Sequence, residues 1–109
     1  MNSKVKQEIN SLNIKLSKYK RINLISSILE DVANIKNIKN FCISLGNKRR
    51  ILKQNIFKYE RNLSELDKEY LEGVNNRQLN NNIRKILFEL NKINEIIKKS
   101  LKNIILEIK

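Results

Sequence analysis

The chain has 109 residues, 23 Lys and Arg against 11 Asp and Glu, and a formal charge of +12, with no His, Trp or Pro, one Cys and two Gly. This inventory argues against catalysis and implies no cofactor: there is no imidazole to move protons or hold metal, a single thiol cannot build a zinc site, and neither a glycine-rich phosphate cradle nor a nucleophile elbow occurs. With so little Gly and no Pro, the chain lacks strong punctuation, which favours long helices over a strand-rich fold.

The first apolar run, Val5, Ile9, Leu12 and Leu16, advances by alternating steps of four and three, the signature of one helical face. Leu16, Tyr19, Ile22 and Ile25 then follow at successive threes, which rotates the stripe around a continuing helix. A helix over residues 3–33 is predicted, either twisted around its partners by this slip or with residues 1–17 loosely attached. Val32, Ile35, Ile38 and Phe41 repeat the run of threes among Asn34, Asn37 and Asn40, residues suited to caps and left-handed positions, so the first break is placed at residues 33–40.

A second helix is predicted over residues 39–71. Phe41, Leu45, Leu52, Ile56, Tyr59, Leu63, Leu66 and Tyr70 keep one phase across Gly46-Asn47, a pair that would otherwise read as a turn. The glycine is read as helix interior, at a cost of about 1 kcal/mol relative to Ala. Glu72-Gly73-Val74-Asn75-Asn76-Arg77 loses the period and reads as a loop.

A third helix over residues 79–108 carries the cleanest stripe. At about 100° per residue, Leu79, Ile83, Ile86, Leu87, Leu90, Ile93, Ile97, Leu101, Ile104, Ile105 and Ile108 fall within an arc of about 120°. Asn94 interrupts that arc. Three helices of roughly thirty residues, each about 45 Å long, predict an all-α fold, an antiparallel three-helix bundle with coiled-coil-like packing, in a single domain. In that arrangement Glu60, Glu65, Asp67, Glu69 and Glu72 meet Arg77, Arg84 and Lys85. At the opposite pole Lys48, Arg49, Arg50 and Lys53 gather with Lys98, Lys99 and Lys102, suited to an acidic partner or simply to a solvated helix end.

The excess charge is discounted because Asn, Ile and Lys dominate while Thr is absent and Ala33 is the only Ala, a skew typical of AT-rich codons. Tyr19, Phe41, Phe57, Tyr59, Tyr70 and Phe88 mostly sit in the helical pattern and make no base-stacking platform, so nucleic acid is not the favoured partner. Cys42, between Phe41 and Ile43, has no internal disulfide partner and reads as a small buried hydrophobe in a reducing compartment. The start lacks an apolar leader and no stretch reaches a membrane span, so the expectation is a cytoplasmic protein without membrane insertion.

With the helices placed, Leu90-Asn91-Lys92-Ile93-Asn94, followed by Ile96-Ile97 and Ser100-Leu101, resembles the last helix of the FlgN-type flagellar export chaperones. That helix carries a leucine, an Asn-x-x-Asn pair, an aliphatic pair and a Ser-Leu step. Leu29-Glu30 resembles the family's glutamate near the end of its first helix, and Lys48, Ile51-Leu52 and Glu60-Arg61 resemble its second. Family members usually run longer, with a polar tail that helps dock on the export gate. This sequence ends at Lys109, so that feature is not carried over, and the chain is more basic than typical members.

The resemblance implies a small helical chaperone that holds terminal helical segments of hook–filament junction proteins before export, with the flagellar export apparatus as a further partner. On that reading Leu90, Ile97, Leu101 and Ile104 are apolar anchors on the last helix, beside Asn91, and Asn94 selects register. Leu90, Ile97 and Leu101 are then expected to be incompletely covered by the protein's own helices. The main alternative is a structural coiled-coil or oligomerisation module, or a small subunit of a complex, with Asn94 as a buried polar residue fixing register. A basic nucleic-acid-binding helical protein is the third reading.

Overall fold

The computed structural model describes residues 3–19, 22–71 and 77–108, and every regular element among them is helical: α1 (Ser3–Leu16), α2 (Asn23–Ala33), α3 (Ile38–Leu71) and α4 (Arg77–Ile108). The fold is all-α. It departs from the three-helix expectation at one place, the run of threes from Leu16 to Ile25. Instead of twisting through that slip, the helix ends. The Ser17 hydroxyl donates to the Ile14 carbonyl at 2.7 Å, and the Tyr19 and Ile25 amides close turns onto the Leu16 and Ile22 carbonyls, each at 3.0 Å.

The physical reason lies in the phase. Successive threes displace an apolar stripe by about 60° per step, so a straight helix carrying Leu16 and Ile25 would aim them in opposite directions. By reversing, the chain points both inward. Leu16 and Ile25 are each 0% exposed, in helices that run side by side. Residues 1–17 are therefore not loosely attached as far as they are described. Val5, Ile9, Leu12 and Leu16 are all buried.

The next connection is short and capped by asparagines. The Asn34 amide and side chain both donate to the Glu30 carbonyl, at 3.0 and 3.1 Å, closing the end of α2. Asn37 Oδ1 accepts the Asn40 amide at 3.2 Å, satisfying one of the free donors at the start of α3. Gly46 lies inside α3, and a Cβ placed there would meet nothing within 4 Å. Of the predicted loop, residues 72–77, positions 72–76 lie outside the described residues, and Arg77 is the first residue of α4 rather than loop.

Polar and charged pairs fix the directions. Lys4 reaches Glu107, Asp31 reaches Ser44 and Lys48, Arg49 reaches Asn94, and Asp67 reaches Asn80 and Arg84. These define an up-down-up-down ring in the order α1, α2, α3, α4, in which each helix packs on its two neighbours and not across the diagonal among the described residues. The two long helices, with 34 and 32 residues, outrun the two short ones, with 14 and 11. The molecule measures 58 × 22 × 17 Å. It is a four-helix bundle at one end, continued at the other by an arm that, among the described residues, consists of α3 and α4.

Candidate functional site

The bundle half contains the apolar core. Leu12, Leu16, Ile25, Ile28, Leu45, Leu52, Ile93, Ile97 and Ile104 are fully buried there, drawn from all four helices. This placement decides the status of the residues singled out on the last helix. Leu90 is 3% exposed and Ile97 is 0% exposed, so the expectation of incomplete cover fails for these two and holds only for Leu101; Ile104, the fourth anchor, is also 0% exposed. The cause is that α1 and α2 are separate antiparallel helices, which supplies a fourth helix where the sequence reading had three. Leu101 is half-buried and packed against the core. Asn91 is exposed and spends its side-chain amide on the Leu87 carbonyl, at 3.0 Å.

Asn94 is not a core polar residue either. It is half-buried at the edge of the α3–α4 seam, where its Oδ1 accepts the Arg49 Nε–H at 3.1 Å. The polar residue inside the α4 stripe is Ser100, 2% exposed. Its place was readable: it lies three residues after Ile97 and four before Ile104, so helical phase puts it inward.

A polar cluster that the sequence did not announce ties α2 to α3. Asp31 accepts the Ser44 hydroxyl at 2.6 Å and pairs with the Lys48 ammonium, which also donates to the Ser27 carbonyl at 3.0 Å. Burial alone would push the Asp31 carboxyl up. The hydrogen bonds from Lys48 and Ser44, with the Lys48 charge, outweigh it and hold the group below the usual carboxylate range. The signal available beforehand was the four-residue spacing of Ser44 and Lys48, which puts both on one face of α3. Lys48 is thereby removed from the basic pole in which it had been counted. Burial pushes the Cys42 thiol up, away from reactivity.

The bundle stops near Tyr59 and Ile86. There Ile22, Asn23, Leu24, Asn55, Tyr59, Ile86 and Leu90 line an open hollow of about 350 Å³. Leu90 is the one proposed anchor that reaches it. Beyond this step α3 and α4 continue as a pair, with Leu63 and Leu66 half-buried, Ile83 8% exposed and Leu79 51% exposed. Asp67 holds the arm's register by accepting from Asn80 Nδ2 at 2.8 Å and pairing with Arg84 at 3.3 Å.

No family model, curated protein or solved structure matches the chain. Among the described residues no three metal-ligating side chains converge. What the described residues offer is an apolar groove and a charged face.

Proposed function

We infer that the protein is a helical binding device that receives an amphipathic helical segment of a client protein on the uncovered α3–α4 groove. The observation that carries this reading is the step at Tyr59 and Ile86. In the bundle half α1 and α2 fill the groove between the long helices, whereas past the step the same groove, lined by Leu63, Leu66 and Ile83, has no covering helix among the described residues. A client helix laid there would continue the four-helix packing, with one apolar side chain entering the hollow beside Ile22 and Leu90.

The resemblance on the last helix gives this device a specific form, an export chaperone that keeps terminal helical segments of flagellar junction proteins unassembled in the cytoplasm. It would act without nucleotide or cofactor. In that form Asn91, Lys92, Asn94, Ile96 and Leu101 are the quoted family positions on α4 that keep accessible surface, all of them in the bundle half, while Leu90 contributes through the hollow. Ile97 and Ile104 serve the fold instead.

A titration with a helical terminal peptide of a junction protein tests the reading. Leu66→Asp places a charge in the arm groove and should abolish capture while the bundle half stays folded by circular dichroism. Capture that survives Leu66→Asp would remove the groove as the site. A wild type that binds no client but dimerises through the arm, seen as concentration-dependent mass in sedimentation, would favour the structural-module reading.

A further inference from the structure

We propose that the outer side of the α3–α4 pair, in the bundle half, adsorbs to a membrane surface containing anionic lipids. On α3, Lys39, Ile43, Arg50, Lys53 and Phe57 recur at steps of three, four or seven, so they share one face, with Gly46 in the wider gap. On α4, Phe88, Asn91, Glu95, Lys98, Lys102 and Leu106 do the same. All of these except Gly46 are exposed. In the ring order α3 and α4 are neighbours, and the Arg49–Asn94 bond marks the seam between their outward faces.

Two properties coincide on this side. It is strongly positive: Lys39, Arg50, Lys53, Lys98 and Lys102 outnumber two carboxylates, Glu95 and, at the arm end beyond Phe57, Glu60, and none of the five cations is in an ion pair among the described residues. It is also unusually apolar for a solvated surface, since Phe57 and Phe88 are 65% and 64% exposed and Ile43 and Leu106 are 56% and 64% exposed. Half of the exposed large apolar side chains among the described residues are on this one side.

Their order along the bundle matters. Counting from the Arg49–Asn94 bond, Phe57 and Phe88 lie about 9–12 Å toward the arm, and Ile43 and Leu106 about 9–18 Å the other way. Arg50, Lys53, Lys98 and Lys102 fall between. The result is a strip about 30 Å long, apolar at both ends and cationic in the middle. Lys92 adds a further cation over the Phe88 ring, 5.4 Å from its centroid.

Charge alone would suit any polyanion. The four apolar side chains decide between them, because a nucleic-acid backbone leaves Ile43 and Leu106 in water whereas a lipid surface accepts them below the headgroups. Attachment would be peripheral, since no described helix is long and apolar enough to cross a membrane. The lysines would meet the anionic headgroups in the same pose that buries the phenylalanines.

Sedimentation with vesicles tests the proposal. The full chain should pellet with phosphatidylcholine–phosphatidylserine vesicles at physiological salt and stay in solution with phosphatidylcholine alone. Changing Lys53, Lys98 and Lys102 together to Gln should weaken partitioning by about a hundredfold, whereas Lys6→Gln with Lys15→Gln on α1 should change it by less than about threefold. Phe57→Ser with Phe88→Ser removes two exposed side chains, should leave helicity intact, and should cost at least about tenfold. Absence of binding to the anionic vesicles would overturn the proposal. So would binding that ignores the Phe57 and Phe88 changes and is matched by a duplex oligonucleotide, which would assign the face to polyanions in general. Leu66→Asp in the arm should not alter vesicle binding, so failure of this proposal and failure of the client reading are separately visible.

Discussion

The bundle half and the arm are built from the same two helices with the same apolar spacing, yet they bury that spacing very differently. In the bundle half, Leu45 and Leu52 on α3 and Ile93, Ile97 and Ile104 on α4 are wholly inaccessible. In the arm the pattern continues through Leu63, Leu66, Leu79 and Ile83, and only Ile83 falls below a tenth exposed. The difference is α1 and α2. Two helices bury only the narrow seam along their line of contact, and four enclose a centre. An equally good stripe is therefore a core in one place and a partly open groove in the other.

Cavity-forming changes should expose this contrast most strongly. Leu52→Ala should cost about 3 kcal/mol by chemical denaturation, because its site is enclosed on every side, while Leu66→Ala should cost about 1 kcal/mol because water already reaches it. Equal losses would erase the distinction between the two halves. Ile97→Asp should unfold the protein outright, an unpaired charge having no compensation in the bundle centre. Native-state hydrogen exchange offers a sharper view. Amides of α3 and α4 within the bundle should exchange through global unfolding, and those of the arm through smaller openings.

The Asp31 cluster tests how firmly α2 is fastened, and so where the groove stops. Asp31→Asn should cost about 1 kcal/mol, a modest value because solvent still reaches the carboxylate. The sign with pH follows from the lowered value. The contribution is complete above the unfolded carboxyl pKa of about 3.9 and is lost as pH falls through the lower folded value. The wild type should therefore show an acid-limb loss relative to Asp31→Asn, and parallel curves would mean that the pair adds nothing. The smallest change should be a gain. Gly46→Ala, with open space around the new methyl group, should add about 0.5–1 kcal/mol in thermal or urea melts.

Local pattern made much of this legible. The constant phase from Phe41 onward carries α3 through Gly46, and the asparagines at 34 and 37 mark where α2 ends and α3 begins. The clean stripe of α4 is likewise the longest buried row in the structure. These are properties of one helix at a time, set by side chains three and four residues apart, and a sequence displays them directly.

What the sequence left open was every choice that required a second helix. The threes at Leu16, Tyr19, Ile22 and Ile25 were visible, but a twist and a reversal both accommodate them. Only packing against α3 and α4 favours the reversal, because it turns Leu16 and Ile25 into the same centre. That choice then changed the meaning of α4. Asn94 lay in the stripe by phase and came to rest at the seam edge with Arg49, while Ile97 and Ile104 moved from candidate binding surface into the core and Leu90 kept only an edge on the hollow. Periodicity states that a face is apolar; how much of it is covered depends on the number and length of the neighbouring helices, and those are fixed only when the whole chain packs.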